Sequence, residues 1–179
     1  LDKVLAVAAA WLALATPALA ATVSPTVAVL PLAAADPGVP YGLLPSPSEL
    51  TVMTGQLRAG LESDDVTLVA QRQLPRALSA AGFDQTTPVR SCVVAACART
   101  IGRAVHAQDV VVGAVTRAMA VVWGTEFLIV DVRSGKIVGS LNVGYKGDVL
   151  AMELGERYAG GCIARLIKGQ KPCPPDRGW

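Results

Sequence analysis

Apolar positions recur along this chain with two different periods, and the switches between them lay out its elements. TVAVLPL at Thr26 to Leu32 is a β-branched run bounded by Pro31, which predicts a buried first strand. From Ala33 to Pro45 the chain turns rich in Gly and Pro, which is loop chemistry and longer than most connections in a compact domain. Ser46-Pro47-Ser48-Glu49 supplies an N-cap, a proline at the first helical position and a capping-box carboxylate. Leu50, Met53, Leu57 and Leu61 follow at helical spacing, with Gln56, Arg58 and Glu62 on the water side. Asp64-Asp65 ends that helix, Val66 to Val69 predicts a short strand, and Gln73 to Ala81 predicts a second helix stopped by Gly82.

The stretch from Cys97 to Asp148 organises the rest. Val94, Cys97, Ala98, Ile101 and Val105 form one helical stripe, with Arg99, Arg103 and His106 on the other side. DVVVGAV at Asp109 to Val115 is apolar without alternation, so both its faces should be covered and it should lie at the centre of the sheet. In FLIVDVRSGKIV, Ser134-Gly135 marks a hairpin turn. Beyond it Ile137, Gly139, Leu141, Val143 and Tyr145 alternate with Val138, Ser140, Asn142, Gly144 and Lys146, which predicts a strand with one more polar face. Asp148 can cap a last helix whose Leu150, Leu154, Tyr158, Cys162 and Leu166 recur every four residues as its expected buried stripe. Gly160-Gly161 inside it costs about 1 kcal/mol each relative to Ala, which points to close packing against the sheet, with fraying of the helix as the alternative. Gly169 suits the C-terminal cap. The reading is one α/β domain of two or three layers, with a mixed sheet, C-terminal antiparallel hairpins and the order β-α-β-α-α-β-β-β-α.

Residues 1 to 20 stand apart. A lone Lys3, an apolar run from Val4 to Ala15 and the A-x-A pattern of Ala18, Leu19 and Ala20 after Pro17 have the pattern of a secretory signal peptide cleaved after Ala20. The run is shorter than the roughly twenty residues a spanning helix needs. The expected divisions are therefore a signal peptide at 1–20, an α/β domain at 21–169 and an extended tail at 170–179. After cleavage the chain should be soluble and periplasmic, with no stable membrane anchor. The formal charge of +2 survives cleavage, since one Lys and one Asp leave together. Scattered basic residues and an aromatic content of 4% argue against nucleic acid as a partner.

Four cysteines in an exported chain argue for disulfides, with three possible connectivities. Cys162 and Cys173 are within reach, because about 10.5 Å of helix up to Gly169 can be retraced by the four residues beyond it. Cys92 and Cys97 can join only if Cys92 lies outside the helix. The expected pairs are Cys92 with Cys97 and Cys162 with Cys173. No C-x-x-C and no nearby histidine support a metal site, and no cofactor motif is present. His106 is the only histidine, beside Arg99 and Arg103, while Asp36, Asp131 and Arg133 sit at no diagnostic spacing. A non-catalytic protein is the expectation.

The run from Cys97-Ala98 through Ile101-Gly102-Arg103 and Val110 to Gly113, closing on Asp131 to Ile137, resembles a family of short secreted bacterial proteins known only as a domain of unknown function. More distantly it is similar to the TolB amino-terminal domain and to the periplasmic domain of the curli secretion lipoprotein. TVAVLPL and Cys92 match the same pattern, whereas the lipid-bearing cysteine of the curli protein is missing. The resemblance implies a TolB-N-like domain working in the cell envelope through contacts with envelope proteins. The alternative is a periplasmic small-ligand carrier using the Ala33 to Pro45 loop, with Asp36, Tyr41 and the helix start at Ser46 around an anion.

Overall fold

From Thr26 onward the chain runs β1 (Thr26–Val29), β2 (Ala33–Ala34), α1 (Pro47–Glu62), β3 (Thr67–Leu68), α2 (Leu74–Ala80), α3 (Ala95–Ala104), β4 (Asp109–Met119), β5 (Val122–Asp131), β6 (Ile137–Lys146) and α4 (Val149–Ile167). The computed structural model describes residues 25–35, 44–84, 91–119, 121–171 and 173. The expected cleavage site lies outside these residues, as do Asp36, Tyr41 and all of the tail beyond 173. The element order matches the periodicity except for β2, two residues too short to leave a pattern.

The strands form one mixed sheet in the order β3-β1-β4-β5-β6, with β2 also pairing with β4. β1 is parallel to β3 and β4, β2 is parallel to β4, and the β4-β5-β6 meander is antiparallel. The unalternating apolar run in β4 is explained by its surroundings. Val111 and Val115 pack into a cluster with α1 and α4, while Val110 and Val112 pack into a second cluster with α2 and α3. The domain therefore has three layers.

Local chemistry sets the ends of the elements as expected. Ser46 Oγ accepts from the Glu49 amide at 3.2 Å, and Glu49 Oε2 accepts from the Ser46 amide at 2.6 Å, which closes the capping box. Asp148 Oδ1 accepts from the Ala151 amide to start α4. At the β5-β6 turn Gly135 adopts φ 74°, and the Ser134 amide donates to Asp131 Oδ1. Cys92 precedes α3 and bonds Cys97 in its first turn, and Cys173 returns to bond Cys162 of α4; the Cα separations are 5.6 and 5.4 Å.

Four expectations are corrected. Leu150, Leu154 and Tyr158 are not the buried stripe of α4; they are exposed by 61%, 57% and 41%. Of that stripe Cys162 is buried and Leu166 partly so; the buried arc is Met152, Gly155, Glu156, Ala159, Gly160, Cys162, Ile163 and Ala164, because α4 must approach α1 and the sheet together, and small residues permit that approach where leucines would not. Gly160 accordingly packs against the α1 backbone rather than against the sheet. Arg58 does not face water: it is half-buried, and its guanidinium donates to the Val69 carbonyl. His106 lies past the end of α3 with φ 56°, not on the helix.

Candidate functional site

β1 ends at Val29, and the chain that leaves it forms one wall of a hollow of about 520 Å³. Pro31 and Leu32 form that wall; Pro45, Pro47 and Leu50 at the start of α1 and Leu78 of α2 face it, with Phe83 and Asp84 at the end of α2. The hydroxyl groups of Thr51 and Thr54 on its wall are engaged within the protein. Thr54 Oγ1 donates to the Leu50 carbonyl and accepts from the Leu32 amide, and Thr51 Oγ1 donates to the Pro47 carbonyl. Ser46 stands between two wall prolines, its hydroxyl capping α1. Asp36 and Tyr41, expected beside it, lie outside the described residues.

Glu49 does more than close the capping box. It faces Arg117 of β4 at 3.8 Å, and the Arg117 guanidinium lies 4.4 Å from the Trp123 ring centre. The start of α1 is thereby tied to the sheet.

One buried carboxyl escaped the sequence reading. Glu156 is 0% exposed, and its Oε1 accepts from Thr125 Oγ1 of β5 at 2.6 Å. Burial pushes its pKa up to about 8, with the Thr125 hydrogen bond opposing part of the shift. The signal was present in the sequence but masked by the wrong helical phase: once the buried arc is centred on 152, 156, 159 and 163, Glu156 falls in its middle.

The remaining candidates do not converge. Asp131 holds the β5-β6 turn, and hydrogen bonds from Ser134 keep it below the usual carboxylate range. Asp109, its cross-strand partner, is pushed up by burial and then by the Asp131 charge. Arg133 is exposed at the turn. His106 opens onto a cleft with Arg72 and Arg76, where no described residue supplies a nucleophile. Among the described residues no group of three His, Cys, Asp or Glu side chains could hold a metal ion.

The face of α4 away from the core exposes a row of large side chains to solvent. Leu150, Leu154 and Tyr158 follow one another at four-residue spacing, with Val149 beside them. β6, against which α4 packs, ends the sheet, and among the described residues no strand pairs with its outer edge. Ile137 and Val138 at its start are exposed as well.

No family model matches the chain, and no curated protein does. Among solved structures it is similar to the LpoB C-terminal domain from Salmonella enterica, at 22% identity over 70% of this chain and 87% of that one, with a TM-score of 0.51. It is similar also to the lipoprotein GNA1162 from Neisseria meningitidis, at 15% identity over 68% of this chain and 80% of that one, with a TM-score of 0.51. TolB from Acinetobacter baumannii aligns at 15% identity over 81% of this chain and 27% of its own, with a TM-score of 0.41, a slight likeness. At such identities the likeness is one of fold.

Proposed function

We propose that the protein is a non-catalytic module of the bacterial cell envelope that binds another envelope protein through the outer face of α4 and the neighbouring edge of β6. The observation that carries this reading is the row Leu150, Leu154 and Tyr158, in which two leucines lie mostly exposed beside a partly exposed tyrosine on a helix whose other face is well packed. A helix ridge of this spacing fits the groove of a second helix. The ten-residue β6 edge, without proline and with Lys146 as its only charge, can accept a further strand.

Two disulfides support export to an oxidising compartment such as the periplasm, as does the leader-like pattern of residues 1–20. Among the described residues no helix is long and apolar enough to cross a membrane. The non-catalytic reading draws on the position of Glu156: its carboxyl, with a pKa raised to about 8, is sealed in the core, where no substrate can reach it.

The test is crosslinking and affinity capture of the tagged full chain from cells that make it, beside a Leu150→Ser, Leu154→Ser, Tyr158→Ser variant. A partner captured by the parent chain and lost from the variant is the expected result. A partner retained at equal yield by the variant would move the docking surface elsewhere.

A further inference from the structure

We infer that the cleft where the start of α2 faces the end of α3 binds a phosphate-bearing anion. It lies on the face of the sheet opposite α4, so the inference is independent of docking through that helix. Leu74, Ala77 and Leu78 of α2 and Cys97, Ala98 and Ile101 of α3 share one core cluster, which fixes the two helices side by side. A short 3-10 turn, Gln71–Gln73, runs straight into α2. Arg72 and Arg76 line the cleft from that side with Gln73 between them, and His106 lines it from the end of α3. The small side chains of Ala77 and Ala104 help to leave about 690 Å³ open, within the range of small-molecule sites.

Every polar side chain of this wall can donate a hydrogen bond. Arg72 and Arg76 each carry five N–H groups on a permanent positive charge, and Gln73 and His106 add further donors. Among the described residues no carboxylate lines the cleft, and none forms an ion pair with Arg72, Arg76 or His106. Two like charges four positions apart repel each other, and an anion between them relieves that cost. A phosphate group has oxygens enough to engage both guanidinium forks at once, whereas a single carboxylate edge is filled by one. The end of α3 is closed to suit this. The Val105, His106 and Ala107 amides donate back to the Ile101, Arg103 and Gly102 carbonyls, so three of the last carbonyls are taken up within the helix end. That closure puts His106 at φ 56°, a left-handed conformation whose ordinary occupant is glycine. The fold bears the strain at the residue that brings an imidazole to the cleft.

The probe is inorganic pyrophosphate, titrated into the full chain at low ionic strength by calorimetry. Saturable one-to-one binding is expected, with acetate at least about tenfold weaker. Arg72→Gln and Arg76→Gln, both at exposed positions, should each weaken binding by about fivefold or more. Arg165→Gln removes the same charge from the exposed last turn of α4 and should bind like the parent, which separates a site from net charge alone. His106→Gly should weaken binding by about threefold or more at a urea midpoint no lower than the parent's, because glycine suits the φ of that position. Vesicles of phosphatidylglycerol, compared with phosphatidylcholine, divide the two sources of phosphate. Retention of the parent on the former and release of the Arg72→Gln, Arg76→Gln double variant assign a lipid headgroup, and no retention beside pyrophosphate binding assigns a soluble phosphate compound. The inference is overturned by an unsaturable parent titration, by parent-like binding in any of the three cleft variants, by an equal loss in Arg165→Gln, or by acetate binding as tightly as pyrophosphate. None of these results bears on capture through α4.

Discussion

Gly60 of α1 and Gly160 of α4 meet backbone to backbone: a Cβ added to Gly60 would lie 2.0 Å from the Arg157 carbonyl oxygen, and one added to Gly160 would lie 2.2 Å from the Leu57 carbonyl oxygen. This crossing sets the distance between the two helices on that face of the sheet, and with it the depth to which α4 sinks. Glu156 is buried, and Leu154 and Tyr158 are left outside, because α4 is held at that depth and in that rotation.

Gly60→Ala should therefore destabilise the protein by about 3 kcal/mol or more, since the carbonyl it meets cannot move without shifting a helix. Gly55, on the same helix, has nothing within 4 Å of where its Cβ would stand. There Gly→Ala should stabilise by about 0.5–1 kcal/mol through helix propensity alone. Urea midpoints of the two variants should fall on opposite sides of the parent, and two shifts of the same sign would refute the account of the crossing.

Glu156 makes stability depend on pH. Its folded pKa of about 8 lies above the ordinary value of 4.5, so the unfolded chain gives up the proton first. Its contribution is complete below about pH 4.5 and is lost as pH rises toward 8, by up to about 5 kcal/mol. Glu156→Gln can keep a hydrogen bond with Thr125 and should flatten the decline in urea midpoint between pH 5 and 8.5. A variant with the parent's slope would show that another group is responsible.

Removing either disulfide should cost stability mainly through the freedom regained by the unfolded chain. The loops closed span 5 and 11 positions, which correspond to about 2 kcal/mol for Cys92–Cys97 and about 3 kcal/mol for Cys162–Cys173. Double serine variants of each pair, measured by urea unfolding, test the amounts. Peptide mapping without reductant tests the pairing itself, and a Cys97–Cys162 peptide would contradict it.

The exposed row on α4 makes a different kind of prediction. Leu154→Ser removes a side chain that lies largely in water, so it should change folding stability by no more than about 0.5 kcal/mol. A melting temperature lowered by many degrees would show that the row belongs to the core and would remove it as a docking surface.

Much of the fold was legible in the sequence because it depends on local chemistry and on period. The Ser46-Pro47-Ser48-Glu49 cap, the Ser134-Gly135 turn, the two-faced apolar run at Val110 to Val115 and the reach of Cys173 back to Cys162 each follow from a few neighbouring residues, and each stands where it was expected. What the sequence left open was decided between elements far apart in the chain. A repeat of Leu150, Leu154 and Tyr158 defines a face of a helix but not which way that face points, and the Gly60–Gly160 contact, a hundred residues apart, turned it outward. The same rotation buried Glu156 against Thr125. The hollow beside α1 belongs to no single stretch, since it exists only where the end of β1 and the helices α1 and α2 come together. Periodicity fixes which residues share a face, but the direction of that face and the spaces between faces depend on how closely two backbones can approach, and that is a property of the packed structure.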